Sequence, residues 1–165
     1  MNKIKLSVLV LLTWAFLMSG CGKDELEDPV VDYLDKVSIV YAETDESRNM
    51  QWPDDILPER FAEYWYQRFA GESSHVWSME APHFQFMASP STYRNYLARS
   101  QASLIEISIN EIKKITEYKY QVICIIKIAR EGRQHEISFS DRWVQVNGDW
   151  YHIIRDPIVF PFSAG

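Results

Sequence analysis

From Leu104 to Ile154 apolar and polar residues alternate, and turn signals break the alternation three times. Alternation of this kind predicts half-buried β-strands, because successive side chains on a strand point to opposite faces. The clearest turn is Asn147-Gly148, between Arg142–Gln145 and Trp150–Ile154. Both central residues of a type I′ hairpin need φ > 0, which Asn and Gly tolerate. A two-residue loop there sets Gln145 opposite Trp150, Val144 opposite Tyr151, Trp143 opposite His152 and Asp141 opposite Ile154. Glu131-Gly132 predicts the hairpin before it. Its register sets Ile128 against His135, Ile126 against Ile137, Cys124 against Phe139, Val122 against Asp141 and Tyr120 against Trp143. Lys127 then meets Glu136 on the other face. A third turn at Thr116-Glu117 sets Ile109 against Cys124, Ile107 against Ile126 and Ile105 against Ile128.

The three registers agree on one apolar surface: Ile105, Ile107, Ile109, Tyr120, Val122, Cys124, Ile126, Ile128, Ile137, Phe139, Trp143, Trp150 and Ile154. A one-residue slip in any hairpin would destroy that agreement. The opposite surface is mostly polar, with a smaller apolar patch of Ile123, Ile125, Val144, Tyr151 and Ile153.

Upstream the period changes from two to nearly four. Leu57, Phe61, Trp65 and Phe69 make one helical stripe, opened by Asp54-Asp55 and Pro58 and stopped by Gly71. Ser73 or Ser74 opens a short second helix through Val76, Trp77 and Met79, ending before Pro82. His83–Phe86 alternates like a very short strand. Ser89-Pro90 caps a third helix, about Pro90–Arg99, with Tyr93, Tyr96 and Leu97 inward. Val37–Tyr41 reads as a short strand of unassigned placement, and Ile158–Phe162 as an extended tail. The fold class expected is α+β, with N-terminal helices packed on one face of an antiparallel β-meander.

The first residues change the picture from fold to address. Lys3 and Lys5 precede an apolar run, Leu6–Met18, too short for a comfortable membrane span, as in a secretory signal. Met18-Ser19-Gly20-Cys21 resembles the lipobox of bacterial lipoproteins. That resemblance implies cleavage before Cys21 and acylation of it, anchoring the chain in a membrane. An ordinary cleaved signal with a chance Cys is the alternative. Gly22 follows the Cys, and Lys23-Asp24-Glu25 resembles a surface-sorting tag. These imply the envelope of a Gram-negative bacterium and its outer membrane, on either the periplasmic or the external face. The organisation expected is signal peptide 1–20, lipidated Cys with acidic tether and extension 21–53, and a folded domain 54–165.

The formal net charge of the whole chain is −6. Loss of Lys3 and Lys5 with the signal takes it to about −8, and there is no basic cluster, which argues against nucleic acid. Cys124, mid-strand on the apolar face, reads as a small buried hydrophobe.

The helices and meander over Leu57–Arg155 resemble the nuclear-transport-factor-like superfamily, which includes ketosteroid isomerase. The likeness is strongest to small secreted members of unknown function. It is carried by an aromatic first helix ending at Gly (Arg60, Trp65, Gly71), by Pro82-His83-Phe84, and by Asp141-Arg142-Trp143 followed by Gly148-Asp149-Trp150-Tyr151. The lipobox and the Val30–Pro53 extension depart from that pattern. The resemblance implies a cone-shaped domain whose curved sheet and helices enclose a pocket, here expected at Trp65, Tyr120, Asp141, Trp143 and His152. It also implies dimerisation through the exposed sheet face, with Ile123, Ile125, Val144, Tyr151 and Ile153 as the partner surface.

No phosphate loop, nucleophile elbow or metal-ligand spacing occurs, so no metal or cofactor is expected. Asp141 and His152 form the single constellation with chemistry in it. They are diagonal neighbours on adjacent strands, flanked by aromatics. A desolvated Asp141 with His152 as support suits a general base; the alternative is a structural pair. Three roles follow: a lipid-anchored, non-enzymatic module binding a small apolar molecule or a protein partner; a component of an envelope assembly or secretion complex; or an isomerase- or dehydratase-like enzyme using Asp141.

Overall fold

The computed structural model describes residues 32–42, 50–98 and 102–154. Those residues fold as a mixed α+β unit with four helices and a five-stranded, mostly antiparallel open sheet in the order β1-β2-β3-β4-β5. The strands are β1 (Ile39–Tyr41), β2 (Ser103–Thr116), β3 (Lys119–Arg130), β4 (Arg133–Val146) and β5 (Asp149–His152). The helices are α1 (Ile56–Ala70), α2 (Ser73–Ser78), α3 (Pro82–Met87) and α4 (Pro90–Leu97). The expected signal peptide, Cys21, the expected tether and the Ile158–Phe162 segment expected as an extended tail lie outside the described residues.

Two of the three hairpins have the register read from the sequence. Trp143 pairs with His152 and Val144 with Tyr151, while Ile126 pairs with Ile137 and Tyr120 with Trp143. The turn residues take the left-handed backbone that such turns demand: Asn147 at φ 54° and Gly148 at 95°, Glu131 at 52° and Gly132 at 73°.

The third hairpin differs. Thr116 pairs with Lys119, so the turn residues are Glu117 and Tyr118 rather than Thr116 and Glu117. Register then shifts by one residue between Lys114 and Thr116, between Ile109 and Glu111, and between Leu104 and Glu106. Ile109 still meets Cys124 and Ile107 still meets Ile126, but Leu104 replaces Ile105 opposite Ile128. Ile105 is extruded and 37 % exposed, so it leaves the apolar surface expected for it. Each bulge inserts one unpaired residue and bends the strand. Ile137, also expected on that surface, sits at its margin, 40 % exposed.

The Val37–Tyr41 segment finds its place as the edge strand β1, the only parallel pairing among the described strands, with Ile39 beside Ile107. Val37 is buried and Tyr33 packs against the core. His83–Phe86 is not a strand but the middle of α3. Pro82 opens that helix, Phe84 is its buried side, and Phe86 is exposed. Four alternating residues fit either period, and here Gln85 decides. Its amide donates to the carbonyls of Trp77, Ser78 and Glu80, closing the preceding turn. Helix α4 ends at Leu97, within two residues of the expected end.

The core lies between α1 and the inner sheet face. Leu57, Phe61 and Trp65 pack with Ile107, Ile109, Val122, Cys124, Ile126 and Trp143. Asp54 Oδ1 accepts from the Ile56 and Leu57 amides (3.1 and 2.9 Å) and caps α1. Its Oδ2 accepts from the Trp150 indole at 2.8 Å, which ties the start of α1 to β5. Gly71, at φ 84°, ends α1 in a left-handed cap. Ile123, Ile125, Val144, Tyr151 and Ile153 are half-buried on the opposite sheet face.

The register makes a testable distinction between two isoleucines of the same predicted face. Ile126→Ala should cost about 2–5 kcal/mol in urea unfolding, since its side chain is fully buried. Ile105→Ala should cost under about 0.5 kcal/mol, because the bulge turns it to solvent. Equal losses would contradict the bulged register.

Candidate functional site

The hairpin β4–β5 brings Asp141 and His152 together. Trp143 pairs directly with His152, so Asp141, two residues away on the same face, becomes its diagonal neighbour. The His152 Nε2–Asp141 Oδ1 distance is 2.7 Å. Both residues are buried, Asp141 at 3 % exposure and His152 at 7 %.

A second carboxylate completes the group. The Met79–Ala81 segment runs beside β5 as a single parallel bridge between Glu80 and His152. Its backbone is fixed by His152 N–H to Met79 O and by Ala81 N–H to His152 O, both 2.8 Å. Glu80 is fully buried, and its Oε2 lies 2.9 Å from His152 Nδ1. The imidazole is therefore held at both nitrogens by carboxylates.

The remaining carboxylate oxygens are occupied as well. Asp141 Oδ2 accepts from the indole N–H groups of Trp65 (3.1 Å) and Trp143 (3.2 Å). Glu80 Oε1 accepts from the hydroxyls of Tyr64 (3.0 Å) and Tyr93 (2.6 Å). Tyr64 also stacks on the imidazole, ring centroids 4.2 Å apart. Every donor and acceptor of the Glu80–His152–Asp141 group thus has a protein partner, as buried polar groups require.

Electrostatics follow from that geometry. Burial alone would lower the His152 pKa, but Glu80 and Asp141 on either side outweigh it and raise it to about 9. His152 is therefore an imidazolium at neutral pH and donates from both nitrogens; neutral imidazole has one N–H and could serve only one carboxylate. Burial, then the Glu80 carboxylate, pushes the Tyr64 and Tyr93 phenols up, so both stay protonated and donate. Burial likewise pushes the Cys124 thiol up, which keeps it protonated.

Two cavities flank the group. One, of 80 Å³, is lined by Tyr64, Trp65, Arg68, Tyr96, Asp141 and His152 among others. The other, of 130 Å³, lies between α1 and strands β3 and β4, lined by Trp65, Arg68, Phe69, Ala102, Ile126, Ile128, Arg130, Ile137 and Phe139. Trp65, Arg68 and Phe139 belong to both.

Of the pocket residues expected from the sequence, Trp65, Asp141 and His152 meet at the smaller cavity. Trp143 lies behind them, fully buried. Tyr120 is not with them: its ring packs edge-on against Trp150 at 5.8 Å. Glu80, Tyr64, Tyr93 and Arg68 were not expected. Tyr64 sits one residue off the α1 stripe. Glu80 is a lone acid in the apolar run Val76–Ala81, a signal that a buried partner must exist. Among the described residues no cluster of His, Cys, Asp and Glu has a metal-binding arrangement.

Comparison with known proteins returns no matching protein family and no matching curated sequence. Among solved structures, the chain is similar to a SEC-C motif containing protein from Rhodopseudomonas palustris, with TM-score 0.47 and 10 % identity over 57 % of this chain and 72 % of that one. It is also similar to a SEC-C motif containing protein from Psychrobacter arcticus, with TM-score 0.48 and 12 % identity over 64 % of this chain and 62 % of that one. These solved structures are SEC-C motif containing proteins, not the nuclear-transport-factor-like lipoproteins expected from the sequence. That resemblance rested on helices followed by a meander and on short Trp-containing motifs, features that recur across α+β folds.

The raised His152 pKa gives stability a defined pH dependence. A folded-state pKa of about 9, above the ordinary value of 6.5, contributes stability that is fully present below pH 6.5. The contribution falls as pH rises toward 9 and is gone above it. Its size is about 3 kcal/mol at most. Denaturant unfolding from pH 6 to 10 should show this loss, and His152→Gln should lower stability and flatten the profile. A wild-type profile flat across that range would contradict the arrangement.

Proposed function

We propose that this chain is a binding module rather than an enzyme, and that a small apolar molecule occupies the 130 Å³ cleft beside α1. The observation that carries this reading is the saturation of the buried charge group. All four carboxylate oxygens of Glu80 and Asp141 and both ring nitrogens of His152 are already engaged within the protein. A general base needs a lone pair within reach of substrate, and Asp141 spends its two oxygens on His152, Trp65 and Trp143. The group instead fixes the wall of the neighbouring cleft, because Trp65 belongs to both. That cleft is lined mostly by apolar side chains, as small-molecule sites generally are. A cone-like wrap of the sheet around α1 belongs to the same proposal, with the bulges of β2 supplying the bend. An envelope location with attachment through Cys21 is proposed on the sequence of the first 21 residues alone.

Titration with toluene, followed by proton–nitrogen NMR, tests the cleft. The Trp65 indole signal should move saturably, and Ile137→Trp, which fills the cleft from its exposed margin, should abolish the shift. No shift in the wild type would count against the binding reading. For location, fractionation of cells should find the wild type with membranes and Cys21→Ala released from them; the same distribution for both would remove the proposed anchor.

A further inference from the structure

Arg68 is a charged group at the edge of the network, in contact with it only through the Tyr64 hydroxyl and the Trp65 ring. Its guanidinium carbon stands over two aromatic rings, 5.7 Å from the Trp65 ring centroid and 5.5 Å from that of Tyr96. Its hydrogen bonds are long, 3.4 Å from Nη1 to the Tyr64 hydroxyl and 3.5 Å from Nη2 to the Tyr96 hydroxyl. Among the described residues no carboxylate forms an ion pair with it. Two hydrogen bonds in series, through the Tyr64 hydroxyl, link it to Glu80, so it stands close enough to offset part of the residual negative charge of the Glu80–His152–Asp141 group. A guanidinium carries five N–H donors in a planar fork, so two long bonds to phenols leave most of its capacity unspent. The same side chain lines both the 80 Å³ and the 130 Å³ cavities.

The rest of the larger cavity is apolar: Trp65, Phe69, Ile126, Ile128, Ile137 and Phe139. At 130 Å³ it matches the roughly 150 Å³ of apolar space that holds one benzene ring. Arg130, the other cation of the wall, is exposed and already paired to Glu131 at 3.6 Å. A partly desolvated cation in the wall of a one-ring apolar slot fits a molecule with one ring or a short chain and one anionic end.

Resting on the cleft reading above, we propose that the ligand class is a small amphipathic carboxylate, its apolar body against Phe69, Ile126 and Phe139 and its carboxylate on Arg68. A charge-assisted pair between guanidinium and carboxylate is stronger than any contact a neutral ligand of the same shape can make there.

The test compares benzoate with benzyl alcohol, a neutral probe of nearly the same size, by NMR titration of the Trp65 indole and the Arg68 side-chain signals. Benzoate should bind the wild type at least about tenfold more tightly than benzyl alcohol. Arg68→Met should remove that preference while still binding benzyl alcohol, and Arg68→Lys should retain part of it. Equal binding of the two probes to the wild type would overturn the carboxylate class and leave the apolar cleft standing; this comparison needs no variant to fold. A preference kept in Arg68→Met but lost in Arg130→Gln would overturn the assignment to Arg68. Failure of both probes to bind would overturn the cleft reading together with this one.

Discussion

A positive charge buried between two negative ones governs this structure. His152 lies under the helices with Glu80 at one ring nitrogen and Asp141 at the other. Removing three charged groups from water is costly, and mutual attraction offsets that cost only if the geometry is good and the remaining lone pairs are satisfied. Two indoles and two phenols satisfy them here, and those four donors come from α1, α4 and β4. The charge group therefore joins four parts of the chain: the first helix, the turn after the second, the fourth helix and the last hairpin. Loss of one member would leave a buried charge without its partner, the costliest of the common defects.

The same group constrains what the site can do. Its atoms are engaged, so its chemistry is turned inward. Its outer members form surfaces: Trp65 presents its indole N–H to Asp141 and its ring to the neighbouring cleft, and Tyr64 passes the influence of Glu80 to Arg68. A fully hydrogen-bonded layer thus stands behind a small apolar cleft, the kind of support that the proposed binding role requires.

Much of the sheet was legible in the sequence, for a physical reason. Asn147-Gly148 and Glu131-Gly132 adopt left-handed turns that fix register locally, and period-two burial then carries it along β3 from Val122 to Ile128 and along β4 from Phe139 to Val144. The meeting of Asp141 with His152 was legible by the same logic, since Trp143 opposite His152 leaves Asp141 its diagonal neighbour. The bulges of β2 were not legible, because an extruded Ile105 looks the same in sequence as an inward one. The pattern of His83–Phe86 fits a strand as well as a helix, because four residues carry too little period to separate the two. Glu80 escaped because it is placed by one parallel bridge across a long sequence separation, and no local pattern encodes that contact. Arg68 escaped for a similar reason. It follows Trp65 by three residues on α1, and its use depends on where Tyr96 of α4 packs.

The charge state of His152 is the central claim, and nitrogen-15 NMR of its imidazole at pH 7.5 tests it most directly. The account predicts a doubly protonated ring, two slowly exchanging N–H signals, and no change of state until the pH approaches 9. A neutral ring with a single N–H, titrating near the ordinary histidine value of about 6.5, would contradict it. The buried group would then be a weaker, one-sided hydrogen bond, and the firmness of the cleft wall built on it would need another source.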